Sequence, residues 1–231
     1  MQTSFWTRLL DVLSPRHCVS CQERLTVGES VLCASCSMHL PLVSYSSFTD
    51  NPVARLFWGL FPLERAASLF YYEPLTVSAH VVHSIKYFGR SDVACMMGRQ
   101  LARELSAGGF FDGIDAMVPV PLTPGRQRER GYNQSEQIAR GIGFETGIPV
   151  YPHVLERTSF RDSQTHQNIY ERRENVREAF RLRNGQPLQG CHVLLVDDVV
   201  TTGSTLTACA TQLLAIPGIR ISIATLGFAK S

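Results

Sequence analysis

Residues 193–205, VLLVDDVVTTGST, constrain the fold more than any other stretch of this 231-residue chain. An apolar run leads into two adjacent acids, Asp197 and Asp198, and then into a loop of small residues. An apolar helical face formed by Leu206, Cys209 and Leu213 begins directly beyond that loop. In a parallel sheet, ligands collect beyond the carboxyl ends of the strands. The stretch therefore predicts a buried strand, a ligand-binding loop and a helix, in that order.

The loop after the acid pair has the composition of an anion site. Its residues are small and mostly hydroxylated: Thr201, Thr202, Gly203, Ser204 and Thr205. Unpaired backbone N–H groups and the positive end of the helix dipole attract a phosphate to the start of a helix. Acids directly ahead of such a loop repel a bare phosphate, so we expect a ligand that places hydroxyl groups or a metal ion at the acids. A phosphorylated sugar meets both requirements, and a helix cap beside an unrelated acid pair is the alternative.

Strand-like apolar runs alternate with helical patterns from residue 66 onward. Strands are predicted at 66–72, 115–122, 150–156, 192–198 and 220–229, and helices at 74–85, 91–107, 133–147 and beyond Gly203. This alternation predicts an α/β fold, a mostly parallel sheet flanked by helices on both faces. The polar segment 156–178 is long for a compact domain, which is typical of a lid or of disorder.

Two Cys-x-x-Cys pairs near the N-terminus predict a metal site. Four of the seven cysteines form them: Cys18, Cys21, Cys33 and Cys36. Four thiolates at this spacing close around one tetrahedral zinc ion, and a site with four protein ligands is structural. His17 and His39 are alternative ligands or neighbours of that site. A disulfide framework needs an oxidising compartment and a redox Cys-x-x-Cys is normally single, so a small zinc-ribbon-like module is favoured.

The charge of the chain is nearly balanced, at a formal +2. That excess is too small to indicate a nucleic-acid-binding face by itself. Only Lys86 and Lys230 are lysines, and eleven of the twenty arginines fall between residues 126 and 183. This concentration is compatible with a phosphorylated ligand, because arginine grips phosphate bidentately. A GC-rich coding sequence and solvated helix faces are the alternative explanation.

Targeting signals are weak in this sequence. No apolar run approaches the ~20 residues that a membrane-spanning helix needs. Residues 1–13 contain one arginine and no small-residue cleavage site, so they make a poor signal peptide. We therefore expect a cytoplasmic protein with no membrane span.

Residues 193–205 closely resemble the signature of type I phosphoribosyltransferases, in which four hydrophobic residues and two acids precede T-T-G-S-T. The resemblance implies the phosphoribosyltransferase fold and a catalytic role for Asp197 and Asp198, which would hydrogen-bond the ribose 2- and 3-hydroxyl groups of phosphoribosyl pyrophosphate (PRPP). It implies that residues 201–205 hold the 5-phosphate of PRPP, and that Mg²⁺ accompanies this substrate.

Weaker resemblances extend to other segments. VPVPLTPGRQRERGYNQ, 118–134, is similar to the loop that meets pyrophosphate in that family, and implies roles for Arg126, Arg130, Gly131 and Asn133. RTSFRDSQTHQNIYERRENVREAF, 157–180, resembles the mobile catalytic loop, and its candidates are Arg157, Gln164, Arg172 and Asn175. Lys86 lies near a further predicted strand–helix junction, where we expect it to contact the anionic substrate.

Together these motifs are similar, over nearly the whole chain, to the ComF/ComFC (GntX-like) family, whose members are associated with natural competence and DNA uptake. The resemblance divides the chain into an N-terminal helix with a four-cysteine zinc module, 1–45, and a phosphoribosyltransferase-like domain, 46–231. Within that domain it implies a hood at about 46–75 and a mobile loop at about 156–178.

The expected activity is transfer of a phosphoribosyl group, with release of pyrophosphate, to an acceptor that the motifs do not identify. The alternative is a non-catalytic module of the DNA-uptake machinery that senses PRPP or a nucleotide. Such a module would bind single-stranded DNA, through stacking and an arginine groove, or a competence-machinery protein. The motifs carry no information on oligomeric state.

Overall fold

Residues 15–158 and 179–229 are described by the computed structural model of the chain. The strands, in chain order, are β1 (Ala66–Tyr71), β2 (Ala116–Pro119), β3 (Leu155–Arg157), β4 (Phe180–Leu182), β5 (His192–Val200) and β6 (Arg220–Phe228). The helices are α1 (Ala34–Met38), α2 (Pro52–Arg55), α3 (Val77–Tyr87), α4 (Ser91–Ser106), α5 (Pro124–Arg130), α6 (Gln134–Thr146) and α7 (Ser204–Leu213). A single 3-10 turn at Gln186–Leu188 completes the elements in these ranges.

Four strands form one parallel sheet in the order β1-β6-β5-β2. β5 lies at its centre, where Val196 pairs with Ala224 of β6 on one side and with Pro119 of β2 on the other. β3 and β4 form a separate antiparallel ribbon. The prediction of an α/β fold with a parallel sheet is confirmed.

The apolar residues of β5 alternate between two hydrophobic clusters, one on each face of the sheet. Leu194 and Val196 join the cluster that contains the buried residues of α3, α4 and α6. Val193 and Leu195 join the second cluster, which contains the apolar face of α7. Because successive side chains of a strand point to opposite faces, a strand buried on both sides is apolar throughout, as this one is before its acids.

Helices α4 and α6 approach each other closely at two glycines. A Cβ atom at Gly98 would overlap the backbone oxygen of Ile138, and one at Gly141 would overlap the backbone oxygen of Cys95. The absence of a side chain at both positions lets the two helix backbones touch. This packing holds the start of α6 beside the carboxyl end of β5.

The four-cysteine module, described from residue 15 to 45, packs directly onto the domain. Its buried residues Leu25, Val31 and Leu40 belong to the same hydrophobic cluster as α3 and α4. The hydroxyl of Ser20 is also hydrogen-bonded to Nδ1 of His80 in α3, over 2.9 Å. The division of the chain at residues 45 and 46 stays a prediction.

Three predicted boundaries were wrong by three residues or more, and one is the end of β2, which was expected at Leu122 and lies at Pro119. The helix expected to begin at Pro74 begins at Val77, because Leu75 has a left-handed backbone with φ +63° that ends the preceding turn. The strand expected at 150–156 begins only at Leu155, and Val150 makes an isolated bridge to Met117. In the part of the chain that the structure describes, no helix is both long enough and apolar enough to span a membrane.

Candidate functional site

Both predicted acids lie near the carboxyl end of β5, and each is held by a different helix. Oδ1 of Asp197 accepts a hydrogen bond from Oγ of Ser135, at the start of α6, over 2.8 Å. The same oxygen accepts the backbone N–H of Asp198 over 2.9 Å. Oδ1 of Asp198 forms an ion pair with Nζ of Lys86, in the last turn of α3, at 3.2 Å. The geometry thus fixes two adjacent carboxylates in defined and different environments.

The two acids do not ionise equally. Burial and the neighbouring charge of Asp198 raise the pKa of Asp197 to about 7. The hydrogen bonds from Asp198 and Ser135 and the charge of Lys86 lower this pKa and oppose part of the rise. Two carboxyl groups close enough to interact resist holding two negative charges at once. Hydroxyl donors or a cation placed at this pair would therefore stabilise its fully charged form.

The 201–205 loop follows directly and leads into α7. Gly203 has a left-handed backbone with φ +74° and precedes the first residue of the helix. A Cβ atom there would lie 2.7 Å from Cε1 of Phe57, so the buried ring of Phe57 packs beneath the loop. Gly203, at the capping position of α7, has no side chain, while Oγ1 of Thr202 accepts the N–H of Ser204 over 3.5 Å and shares a hydrogen bond of 2.9 Å with the Ser204 hydroxyl. The N–H groups of Thr205 and Leu206, next in the first turn, are thus available to an anion beyond the end of β5.

Arg157 lies close enough to Arg126 and to Asp197 for the charge of each to act on it. Arg157 of β3 is half-buried, with its guanidinium 5.0 Å from the ring centroid of Phe180. Burial lowers the pKa of Arg157, the positive charge of Arg126 in α5 lowers it further, and the charge of Asp197 opposes both effects. Neither arginine forms an ion pair with any residue in the described ranges. An anion bound between two like charges, neither of which is in an ion pair with a described residue, would relieve their repulsion.

The segment between β2 and α6 is ordered by its own side chains. Thr123 caps α5, and Gly131 ends it in the left-handed conformation. Asn133 caps α6 by accepting the N–H of Ser135 over 3.1 Å, while its Nδ2 donates to the backbone oxygen of Val120 over 3.0 Å. Gly131 and Asn133, which the sequence suggested as pyrophosphate contacts, therefore have structural roles that position Ser135.

Arg130 contacts two neighbours beside the acid pair. Its Nη1 donates to Oε1 of Gln134 over 3.0 Å, and its guanidinium lies 5.9 Å from the ring centroid of Tyr87. Gln134 is buried, and its Nε2 has no hydrogen-bond partner among the described residues. Tyr132 donates its hydroxyl to the backbone oxygen of Ile85 over 2.5 Å, which ties this segment to α3.

The structure brings most of the predicted site residues to one edge of the sheet, and adds two. Lys86 pairs with Asp198, and the charges of Asp198, Lys86 and Arg157 each interact with that of Asp197. Ser135 and Phe57 were not predicted as site residues. The run GYNQS, which precedes a helix, could have indicated Ser135 as a residue at a helix start. No local sequence pattern indicates that Phe57 lies beneath the loop. The predicted loop residues Gln164, Arg172 and Asn175 lie outside the described residues.

The four cysteines predicted to bind metal meet in space. Their sulfur atoms all lie within 4.8 Å of one another, and Sγ of Cys21 is 3.6 Å from Sγ of Cys33. Four sulfurs around a tetrahedral zinc ion are about 3.8 Å apart, given Zn–S bonds of about 2.3 Å, so the spacing fits zinc. No histidine belongs to this cluster in the described part of the chain, and Nδ1 of His39 contacts the backbone oxygen of Ser35 instead.

The pKa shifts of the clustered cysteines are also consistent with a cation site. Burial raises the pKa of Cys36, and the neighbouring thiols raise it further, to about 12. Burial also opposes ionisation of Cys18, but hydrogen bonds from the backbone of Cys21, Cys33 and Ser20 outweigh it and lower the pKa of Cys18 to about 7. A divalent ion with thiolate ligands removes the mutual repulsion that makes the later ionisations costly.

Comparison with known proteins identifies the family. Residues 93–230, more than half of the chain, match the family model described as "Phosphoribosyl transferase domain". The chain is 34% identical over 157 residues to the "DNA utilization protein YhgH" of Salmonella typhi, covering 66% of this chain and 67% of that protein. It is 26% identical over 204 residues to the "Competence protein F" of Haemophilus influenzae, covering 82% of this chain and 87% of that protein.

A solved structure described as the allosteric regulatory enzyme of purine biosynthesis is 20% identical, with a TM-score of 0.40. The alignment covers 62% of this chain and 30% of that one. The family match and the curated relatives, together with the four-cysteine cluster, show that this chain belongs to the ComF family of phosphoribosyltransferase-like proteins.

Proposed function

We propose that this chain binds PRPP with Mg²⁺ at the carboxyl end of β5 and transfers its phosphoribosyl group to an acceptor, releasing pyrophosphate. One observation carries the proposal. Two adjacent carboxylates, held separately by Ser135 and Lys86, precede a helix whose N-cap residue is a glycine and whose first turn has no acidic side chain. A sugar bearing a 5-phosphate matches this order of groups, with hydroxyls at the acids and phosphate at the helix.

The acid pair binds and orients the ribose. Two ribose hydroxyls donate hydrogen bonds to Asp197 and Asp198, and these donors favour the charged form of Asp197, which is disfavoured in the free protein. Lys86 balances the charge of Asp198. The sugar is thereby fixed with its anomeric carbon at a defined position, which lowers the entropic part of the barrier.

The 201–205 loop binds the 5-phosphate. Backbone N–H groups at the start of α7 and the hydroxyls of Thr202 and Ser204 supply donors, and the helix dipole favours the negative charge. Phe57 supports the loop from below and keeps it in the conformation that Gly203 permits.

Arg126 and Arg157 bind the pyrophosphate. Their mutual repulsion in the free protein is relieved when an anion lies between them. In the reaction, a lone pair of a nitrogen nucleophile forms the bond to the anomeric carbon, the bond from that carbon to the pyrophosphate oxygen breaks, and its electron pair leaves with pyrophosphate. The nitrogen then loses a proton to solvent. The arginines stabilise the charge that develops on the leaving group, and exclusion of water prevents hydrolysis of PRPP.

Two metal ions fit the donor sets of this chain. The carboxylate oxygens of Asp197 and Asp198 are hard ligands of the kind Mg²⁺ prefers, and the raised pKa of Asp197 indicates a pair that a cation would stabilise. Mg²⁺, when bound with PRPP, neutralises negative charge on the pyrophosphate. Zinc at the four cysteines has a structural role, because no coordination position is open.

The names of the relatives support a role in DNA uptake or use. The curated proteins are called a DNA utilization protein and a competence protein. We place this chain in the same process.

Pyrophosphate release tests the proposal. The full-length protein is incubated with PRPP, Mg²⁺ and a panel of nitrogenous bases and amines, while PRPP binding is measured separately by calorimetry. Replacement of Asp197 and Asp198 by Ala abolishes both binding and release. Asp112→Ala, an exposed acid just before β2 at the opposite edge of the sheet, leaves both unchanged. Absence of PRPP binding by the unaltered protein in the presence of Mg²⁺ would overturn the proposal.

A second candidate function rests on exposed aromatic residues beside basic ones. The rings of Tyr87 and Phe88 are 66% and 75% exposed, and Arg130 lies against Tyr87. Such surfaces stack on the bases of single-stranded DNA. DNA binding that survives the aspartate replacements but is lost on zinc removal would favour a non-catalytic binding module over the transferase.

A further inference from the structure

A second cleft, of about 580 Å³, lies between the four-cysteine module and α3. The module contributes His17, Val19, Ser20 and Gln22 to its lining, and the domain contributes His80, His83, Ser84, Phe88 and Arg90. Its volume lies within the ~300–1,000 Å³ range of small-molecule sites. The hydrogen bond between Ser20 and His80 joins the two walls.

The polar groups of the cleft suit an anion. Three histidines and one arginine line it, and no carboxylate does so among the described residues. Arg90 is held by Asp92 through Nε, at 2.9 Å, and Nη2, at 2.8 Å, which leaves Nη1 available. One ring nitrogen of His80 is engaged by Ser20, so its other nitrogen is the one available to a ligand. A phosphate group, with several acceptor oxygens, is an anion that such a cluster of nitrogen donors can bind.

The apolar groups of the cleft suit a flat ring. Val19 lines one wall, and Phe88 lines the other with 75% of its surface exposed. A large aromatic side chain left in water beside a cavity is available for stacking on a planar ligand. The lining thus combines a phosphate-binding half with a ring-binding half.

This cleft is distinct from the site at the end of β5. It contains neither acid of β5 and no residue of the 201–205 loop. Helix α3 lies between them, because its Lys86 contacts Asp198 whereas its His80, His83 and Ser84 line the cleft.

We propose that the cleft between the four-cysteine module and α3 is a second ligand site, which binds a nucleoside monophosphate or a similar aromatic phosphate monoester. The ring stacks on Phe88, and the phosphate is bound by His80, His83 and Arg90. The inference goes beyond the proposed function, since it depends on the cleft and not on PRPP binding. It also gives the four-cysteine module a role, as one wall of the site.

Calorimetry with AMP, GMP, CMP and UMP tests the site. The full-length protein is titrated with each nucleotide, both free and after saturation with PRPP and Mg²⁺. At least one nucleotide is expected to bind under both conditions, and the matching nucleoside and inorganic phosphate to bind at least tenfold more weakly. Displacement of the nucleotide by PRPP would show that the nucleotide binds at the 201–205 loop, and would overturn the proposal. Failure of all four nucleotides to bind would also overturn it.

Two exposed side chains serve as variants, each with a matched control. His83→Ala and Phe88→Ala are each expected to weaken nucleotide binding at least fivefold and to leave PRPP binding unchanged. The controls His153→Ala and Phe144→Ala remove an exposed histidine and an exposed phenylalanine outside the cleft lining, and are expected to have no effect. Equal effects in variants and controls would overturn the proposal. If PRPP itself fails to bind, the proposed function fails, while the same four variants still test the cleft in the free protein.

Discussion

Ser135 donates its hydroxyl hydrogen to Asp197 over 2.8 Å and thereby connects the start of α6 to the end of β5. Because the hydrogen bond lowers the pKa of Asp197, it favours the charged form that is expected to bind a ribose hydroxyl. Ser135 is thus a positioning residue, which acts on the ligand through the carboxylate.

Replacement of Ser135 by Ala is expected to weaken PRPP binding about tenfold to a hundredfold, because a hydrogen bond to a charged group contributes about 1.5–3 kcal/mol. The loss should be greatest at low pH, where Asp197 without its donor is more often protonated. Calorimetry between pH 6 and 8.5 measures this effect. Ser106→Ala removes a hydroxyl that contacts only the backbone oxygen of Ala102, and should leave affinity unchanged. A loss that does not vary with pH would contradict the role given to Ser135.

Replacement of Asp197 by Asn is expected to stabilise the ligand-free protein at alkaline pH. The folded-state pKa of Asp197, about 7, lies above the 3.8 of an exposed aspartate. The folded chain therefore holds this proton more tightly than the unfolded chain does, and the resulting stability is lost as pH rises from about 4 through 7. Asn does not ionise and avoids that loss, so we expect Tm to rise by roughly 5 °C at pH 8.

Thermal unfolding between pH 4.5 and 8.5, without PRPP, measures the effect of Asp197→Asn. The gain in Tm should shrink as pH falls toward 4.5, whereas Asp112→Asn should give the same small difference throughout. The same Asp197→Asn protein should bind PRPP poorly, so that stability and binding change in opposite directions. A pH-independent gain in Tm would contradict the raised pKa.

Replacement of Gly203 by Ala tests the support of the loop by Phe57. A Cβ atom at Gly203 would contact the Phe57 ring at 2.7 Å in a left-handed backbone, whereas Gly190 has a similar φ of +72° and open space around it. Both substitutions incur backbone strain, and only the first adds a steric clash. We expect Gly203→Ala to lower the free energy of unfolding by about 1–3 kcal/mol more than Gly190→Ala, and to abolish PRPP binding. Equal urea midpoints of unfolding for the two variants would show that the Phe57 ring moves aside without lowering the free energy of unfolding, and would contradict its role in supporting the loop.

Replacement of Arg126 or Arg157 by Ala separates binding of pyrophosphate from binding of the sugar phosphate. Each variant is expected to lose about tenfold or more in PRPP affinity, or ~1.4 kcal/mol, and to bind ribose 5-phosphate as the unaltered protein does. Arg183→Ala, which removes an exposed arginine paired with Glu156, serves as the control. Equal losses for PRPP and ribose 5-phosphate would exclude a specific pyrophosphate contact.

Replacement of Cys21 by Ser tests the metal site. The purified protein is expected to contain about one zinc ion per chain, and the variant to lose it, because three sulfurs and a hydroxyl bind zinc far more weakly. Cys191→Ser changes a half-buried cysteine outside the cluster and should retain the metal. Zinc content by mass spectrometry distinguishes these outcomes, and full zinc content in the Cys21→Ser protein would exclude this ligand set.

The sequence predicted the parts of the site that local pattern encodes. Apolar residues followed by acids and a Gly-containing loop define the end of β5, and paired Cys-x-x-Cys motifs define the cluster, because each motif needs few neighbours to be recognised. Three predictions are confirmed: the parallel sheet, the family, and the spatial cluster of the four cysteines. The roles of individual residues toward PRPP stay predictions.

Contacts between distant segments were not predictable in the same way. Ser135 and Asp197 are 62 positions apart, and the run GYNQS marks a helix start without indicating which residue Ser135 contacts. Phe57 is fully buried, and its place beneath Gly203 depends on how the chain returns after more than a hundred residues. The cleft at His80 and Ser20 likewise exists only because the module folds back onto α3.

Phe57 and β1 both precede residue 93, where the match to the family model begins. A fragment that begins at residue 93 would retain both aspartates and the whole 201–205 loop, but it would lack the Phe57 ring that packs beneath the loop. Strand β6 would also become the edge of the sheet, with its backbone groups open to pairing with other chains and to aggregation. We therefore expect the smallest part of this protein that folds to be larger than residues 93–230 and to include Phe57 and β1.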